Sequence, residues 1–129
     1  MSAKAEVHKI SVGADRSMKP TERYPIIAGN VNVDEVKFTF EEPADWQDLD
    51  LSVYFTNSTS KVTEGVTDWD GEDNVVIPAG AIADVGYVEV AIIGTSVDDT
   101  DPDHPVIIQR AVTQACPNIL RVYSSGVNS

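Results

Sequence analysis

The sequence predicts an all-β protein: an antiparallel β-sandwich, immunoglobulin-like in its proportions, with an extended N-terminal arm. Three observations lead there. Val and Ile together supply 28 residues against three Leu, and β-branched side chains lose rotamer freedom on a helix but pack well on a pleated sheet. Short runs alternate apolar and polar residues with period two, the mark of a strand with one buried face. Clusters of Asp, Asn, Gly and Pro punctuate these runs and no βαβ unit is visible, which favours a sandwich over a parallel α/β fold. At 129 residues the chain is one domain, long enough to bury a core without a metal or disulfide.

Residues 1–30 differ from the rest. Glu6 to Val12 reads as a short strand, and Gly13 to Pro25 is polar and irregular. We expect an arm over 1–30, a sandwich domain over 31–124 and a tail over 125–129. Within the arm, Tyr24, Pro25, Ile26 and Ile27 form an apolar knot suited to anchoring in the groove of a neighbouring subunit.

From Val31 the strands follow in order. Val36, Phe38 and Phe40 alternate with Lys37 and Thr39, and Glu41-Glu42-Pro43 stops the run. Leu51, Val53 and Phe55 repeat the pattern. Asn57-Ser58 to Lys61 reads as a hairpin turn into Lys61–Glu64. Asp70-Gly71 and Asp73-Asn74 are turn formers, followed by a strand over Asn74–Ile77 that Pro78 ends. Pro78–Ile82 suits a short helical turn crossing between sheets. Tyr87–Ile93 predicts the central strand, Ser96–Pro105 a polar loop, and Val106–Thr113 and Ile119–Tyr123 the last two strands.

Charge is unevenly placed. The total is −12; residues 1–40 carry six basic and five acidic side chains, residues 41–105 one and 16, and residues 106–129 two and none. A binder of nucleic-acid phosphates would need a local basic run, and the sequence has none. The longest apolar stretches are strand-length, far short of the ~20 residues of a membrane helix, so neither nucleic acid nor membrane is an expected partner. The single Cys116 makes no intramolecular disulfide, and MSAKAEVHKI lacks the apolar region of a signal peptide. Synthesis in a reducing cytoplasm is expected.

Candidate chemistry is sparse. Asp98, Asp99, Asp101 and Asp103 place four carboxylates in six positions, a weak candidate for Ca²⁺, which takes six to eight oxygen ligands; a solvated hairpin tip explains the same residues. The run Asp68-Trp69-Asp70-Gly71-Glu72-Asp73 carries the same ambiguity. His8, His104 and Cys116 have no zinc-ligand spacing, and no serine occupies a nucleophile elbow. No Gly-rich phosphate loop is present, so no cofactor and no catalysis are expected. Trp46 lies between turn residues and reads as a plug at one end of the core, with a sugar-stacking role as the sharper alternative.

The order of elements in 31–124 resembles the N-terminal β-sandwich domains of bacteriophage fibre and receptor-binding proteins of the baseplate-upper-protein kind. The resemblance rests on Val36-Lys37-Phe38-Thr39-Phe40, the turn Asp45-Trp46-Gln47-Asp48-Leu49, and the strand Ser52–Asn57. It continues through Asn74-Val75-Val76-Ile77-Pro78 with Ala79 and Ile82, Gly86–Gly94, and Arg121-Val122-Tyr123 with Ser125-Gly126. It implies a non-enzymatic virion structural protein: a fibre or baseplate adaptor, a head fibre or a capsid decoration protein, docked onto other virion proteins (capsid, tail or baseplate subunits). It further implies a homotrimer and location in the virion after synthesis in the bacterial host cytoplasm. The alternative is a carbohydrate- or calcium-binding β-sandwich module that uses Trp46, Trp69 and the acidic loops.

Overall fold

Inward-facing β-branched and aromatic residues on successive strands close the chain into two facing sheets. The computed structural model describes residues 6–29, 34–98, 100–114 and 119–124, without the side chains of Glu6, Asp68, Asp98 and residues 107–110. Cys116, Asp99 and the tail over 125–129 lie outside the described residues. The strands are β1 (Glu6–Val12), β2 (Met18–Glu22), β3 (Ile26–Ile27), β4 (Asp34–Phe40), β5 (Asp50–Asn57), β6 (Thr63–Trp69), β7 (Val75–Val76), β8 (Gly86–Asp98), β9 (Val106–Val112) and β10 (Leu120–Tyr123). Short 3-10 turns at Pro43–Trp46 and Ala79–Ile82 bridge between them.

The first sheet runs β2-β1-β4-β7 and the second β3-β10-β8-β5-β6, with β9 paired to the far half of β8. Most pairings are antiparallel; β1 with β4 and β3 with β10 are parallel. The all-β sandwich read from the period-two runs is therefore the architecture of the described residues. Between the sheets lie Ile10, Val12, Val36, Phe38, Val53, Phe55, Ile77, Ile82, Val88, Val90, Ile92, Leu120 and Val122. Burying a side chain of this size stabilises by about 1.5–3 kcal/mol, so this set supplies the main driving force for folding.

The segment expected as an arm behaves differently. From Glu6 to Gly29 it is built into both sheets: β1 and β2 extend the first, β3 edges the second, and Ile10, Val12, Met18 and Ile26 are buried. The reason is visible at His8, Ile10 and Val12, which occupy successive inward positions. A histidine in an inward position hides the alternation from a reading by hydropathy. Pro20 sits on β2, an outer strand of the first sheet, the kind of strand to which proline is confined within sheets.

Two other differences have similar causes. β8 continues past Ile93 to Asp98 because Thr95 to Asp98 pair with Gln109 to Val106, so the expected loop over 96–105 begins as a ribbon. β6 runs to Trp69 rather than ending near Glu64; Gly65 lies opposite Tyr54, and a Cβ there would come 2.7 Å from Tyr54 Cε1, so the absent side chain makes room for the ring.

Asn57 closes one end of the sandwich. It is fully buried at an inward position of β5, and Nδ2 donates to the carbonyls of Ala81 (3.0 Å) and Asp84 (2.8 Å). Oδ1 accepts from the N–H groups of Thr59 (2.9 Å) and Ser60 (3.1 Å). All the amide's main hydrogen-bonding capacity is used.

Candidate functional site

The face that stands out is the outer surface of the second sheet where β3, β10 and β8 meet. Val88, Val90 and Ile92 face inward on β8, as do Leu120 and Val122 on β10; alternation therefore sends Tyr87, Arg121 and Tyr123 outward. Register sets Arg121 beside Tyr87. The Arg121 guanidinium lies 5.2 Å from the Tyr87 ring centroid and 4.9 Å from that of Tyr123, within cation–π range of both. β3 pairs with β10 through Ile26 with Val122 and Ile27 with Tyr123, which carries Arg23, Tyr24 and Pro25 to the same place. The six residues line a cleft of about 510 Å³.

The cleft is held from beneath. Arg23 Nη1 donates to the Ile119 carbonyl at 3.3 Å. The Tyr24 N–H donates to Nδ1 of the buried His8 at 3.1 Å, and the two rings meet edge-on at 5.7 Å. The Tyr24 hydroxyl donates to the Glu22 carboxylate, which Lys9 also approaches at 3.1 Å. The Tyr24 hydrogen bond first, and then Lys9, hold the Glu22 carboxyl below its ordinary value.

Electrostatically the cleft is unlike the rest of the chain. The ion pairs among the described residues use His8, Lys9 and His104; neither Arg23 nor Arg121 has a carboxylate at that range. Contact with two rings restricts the Arg121 guanidinium, a planar group that carries its donors as a fork. Such a fork suits a carboxylate or other planar oxyanion. Tyr and Arg are also the residue types that dominate binding energy at protein interfaces.

Of the expected interaction residues, Tyr24 and Pro25 line this cleft, while Ile26 is fully buried in the chain's own core and Ile27 is half-buried. Ile26 and Ile27 thus belong to the chain's own second sheet, because β3 pairs with β10, while Tyr24 and Pro25 stay exposed. Arg23, Tyr87, Arg121 and Tyr123 were not singled out in the sequence. The signal for them was the outward register of Tyr87 and of Arg121-x-Tyr123, which becomes a cluster only once β8 and β10 are known to be neighbours.

The other candidates separate. Trp46 packs against Phe40 at 5.2 Å between ring centroids, beneath the Arg16 guanidinium; Trp69 packs on Phe38 and Phe40 and donates Nε1–H to the Asp73 carbonyl at 2.8 Å. Both indoles are buried and belong to the core cluster, which agrees with the reading of Trp46 as a plug at one end of the core. Of the four calcium candidates, Asp99 and the Asp98 side chain lie outside the described residues. Asp101 accepts from the Asp103 N–H (3.2 Å) and meets His104 Nδ1 (3.1 Å), a turn arrangement. Among the described residues no group of three His, Cys, Asp or Glu side chains is placed to hold a metal ion. Asp70 Oδ1 likewise accepts the N–H groups of Glu72 and Asp73, both at 2.8 Å. Those bonds lower the Asp70 carboxyl, and Asp70 in turn raises that of Asp73.

No protein-family model, curated protein or solved structure gives a significant match to this chain. Among the described residues no helix is long and apolar enough to cross a membrane.

Proposed function

We propose that this chain is a non-enzymatic structural protein of a bacteriophage virion, an adaptor or decoration subunit that docks onto other virion proteins and uses the tyrosine–arginine cleft as one docking face for a neighbouring subunit in the particle. The observation that carries the docking role is Arg121, within cation–π range of both Tyr87 and Tyr123 in an exposed cleft and with no carboxylate partner among the described residues. A surface that concentrates three tyrosines and two arginines has the composition of an interface centre. The virion assignment rests on the resemblance of 31–124 to phage fibre and baseplate sandwich domains. A homotrimer, assembled in the host cytoplasm and carried in the particle, belongs to the same reading.

The strand order supports an immunoglobulin-like type for residues 26–123. β4 pairs with β7, β5 with β8 and β6, and β8 with β10, all antiparallel, while the short β3 lies parallel to the last strand. This is the connectivity of a sandwich whose first strand switches to the sheet of the last, with the β1–β2 hairpin added on the outer side of β4.

The test is the composition of purified particles. Gradient-banded virions from a host producing this chain should contain it at a fixed ratio to the other virion proteins by quantitative mass spectrometry. Virions that lack it would overturn the assignment.

A further inference from the structure

We infer that the tyrosine–arginine cleft receives the acidic tip of the β8–β9 hairpin of a second copy of this chain, joining copies head to tail. This rests on the reading of the cleft as a docking face and names its occupant.

The argument begins with β8. Its 13 residues run from Gly86 to Asp98, so Tyr87 stands at one end of the molecule and the hairpin at the other. At about 3.3 Å per residue the two are roughly 35 Å apart, too far for a chain to fill its own cleft with its own tip. The pairing of β8 with β5 stops at Thr95, and beyond that point β8 and β9 leave the sheet as a two-stranded ribbon. Register sets Val97 opposite Ile107 and Asp98 opposite Val106, which places Val97 and Val106 on opposite faces of the ribbon. They are 54% and 57% exposed, the largest values among the exposed large hydrophobics of the described residues. Asp101 and Asp103 lie exposed at the turn.

Tip and cleft are therefore complementary in both charge and polarity. The ribbon offers an apolar side chain on each face and carboxylates at its end; the cleft offers tyrosine rings at its sides and two guanidiniums with no acidic partner among the described residues. A carboxylate brought to the Arg121 fork can be held by two parallel hydrogen bonds between opposite charges, which a neutral partner cannot match. The net charge of −12 opposes association of copies, but at physiological salt the screening length is about 8 Å, so contact pairs persist where whole-molecule repulsion fades. Because the two surfaces differ, the contact is heterologous: each joined copy still presents one free cleft or one free tip until a ring closes.

The test is light scattering on the purified full chain across a concentration series at ~0.15 M salt, with thermal unfolding to verify that each variant is folded. The wild-type mass should grow past that of a dimer. Arg121→Glu alone, and Asp101→Arg with Asp103→Arg in one chain, should each associate at least about tenfold more weakly, as expected when one member of a charged interface pair is reversed. Mixing the two variants should restore association, since each then meets an opposite charge. Asp103→Arg alone, which keeps the Asp101 side chain that holds the turn, should weaken association in the same direction and decides the matter even if a cleft variant does not fold. A wild-type chain that stays at 13.9 kDa throughout, association unchanged in both variants, or a mixture that stays dissociated would each overturn the inference. The wider docking reading is judged separately, by incorporation into particles.

Discussion

His8 Nε2 lies 2.9 Å from Asp34 Oδ1 in a part of the first sheet where both side chains are shielded from solvent. Because His8 Nδ1 accepts the Tyr24 N–H, the proton of the neutral ring is assigned to Nε2, which donates to the carboxylate. Asp34 Oδ2 has no hydrogen-bond partner among the described residues. The pair ties β1 to β4 and sets the Tyr24 backbone, so a buried polar contact in the core positions one wall of the exposed cleft.

Breaking that pair should be costly. His8→Leu alone strands the buried Asp34 carboxylate, a change that typically costs about 3–5 kcal/mol; Asp34→Val alone leaves the Nε2–H of the neutral ring without its acceptor, at about 1–3 kcal/mol. Replacing both, with Asp34→Val and His8→Leu in one chain, should cost less than the sum of the single changes, since no charge is then stranded. Urea unfolding of the four proteins measures this. Strictly additive losses would show that the two residues act independently.

Asn57→Ala should also destabilise strongly. It leaves the carbonyls of Ala81 and Asp84 and the N–H groups of Thr59 and Ser60 without the amide that serves them. With about 1–3 kcal/mol for each buried group left unsatisfied, a loss of about 3 kcal/mol or more is expected. A midpoint in urea within error of wild type would mean that water replaces the amide at no cost.

Acid should loosen the β1–β2 hairpin. The Asp15 carboxyl is lowered from 3.8, first by the Ser17 hydroxyl and then by the Ser17 N–H; Glu22 is lowered from 4.5 by Tyr24 and Lys9. A carboxyl lowered on folding contributes stability above its unfolded value, and that contribution is lost as pH falls through the folded one. The thermal midpoint should therefore drop as pH falls below about 4.5, and Asp15→Asn should flatten part of that drop. Asp73 works in the opposite sense, because its raised carboxyl favours the folded state at low pH; Asp73→Asn should steepen the fall.

Both tryptophans should report a core rather than a binding surface. Their fluorescence should be blue-shifted in the native protein and poorly quenched by iodide, and should shift to longer wavelength on unfolding. Addition of oligosaccharides should leave the spectrum unchanged. A glycan-dependent shift that Trp46→Phe abolishes would contradict the placement of that ring.

Much of the fold was legible because burial on a sheet repeats every second residue. Val36-x-Phe38, Leu51-x-Val53-x-Phe55 and Val88-x-Val90-x-Ile92 needed no tertiary information. Residues 6–29 were harder: His8 and, on β4, Asp34 are polar residues in inward positions, explicable only by each other. The cleft was harder still. Tyr24 and Pro25 drew attention by composition, yet their neighbours Tyr87, Arg121 and Tyr123 come from strands whose adjacency is a matter of topology. Trp46 and Trp69 show the converse, since nothing local distinguishes an indole used as core from one offered to a ligand.

The most direct test of the account is whether the cleft mediates docking in the particle. Virions assembled in the presence of Arg121→Ala with Tyr123→Ala, a variant first shown to retain the wild-type thermal midpoint, should contain little of the chain. Thr56→Ala, an outward change elsewhere on the second sheet, should be incorporated normally. Equal incorporation of the cleft variant and the wild-type chain would contradict the account.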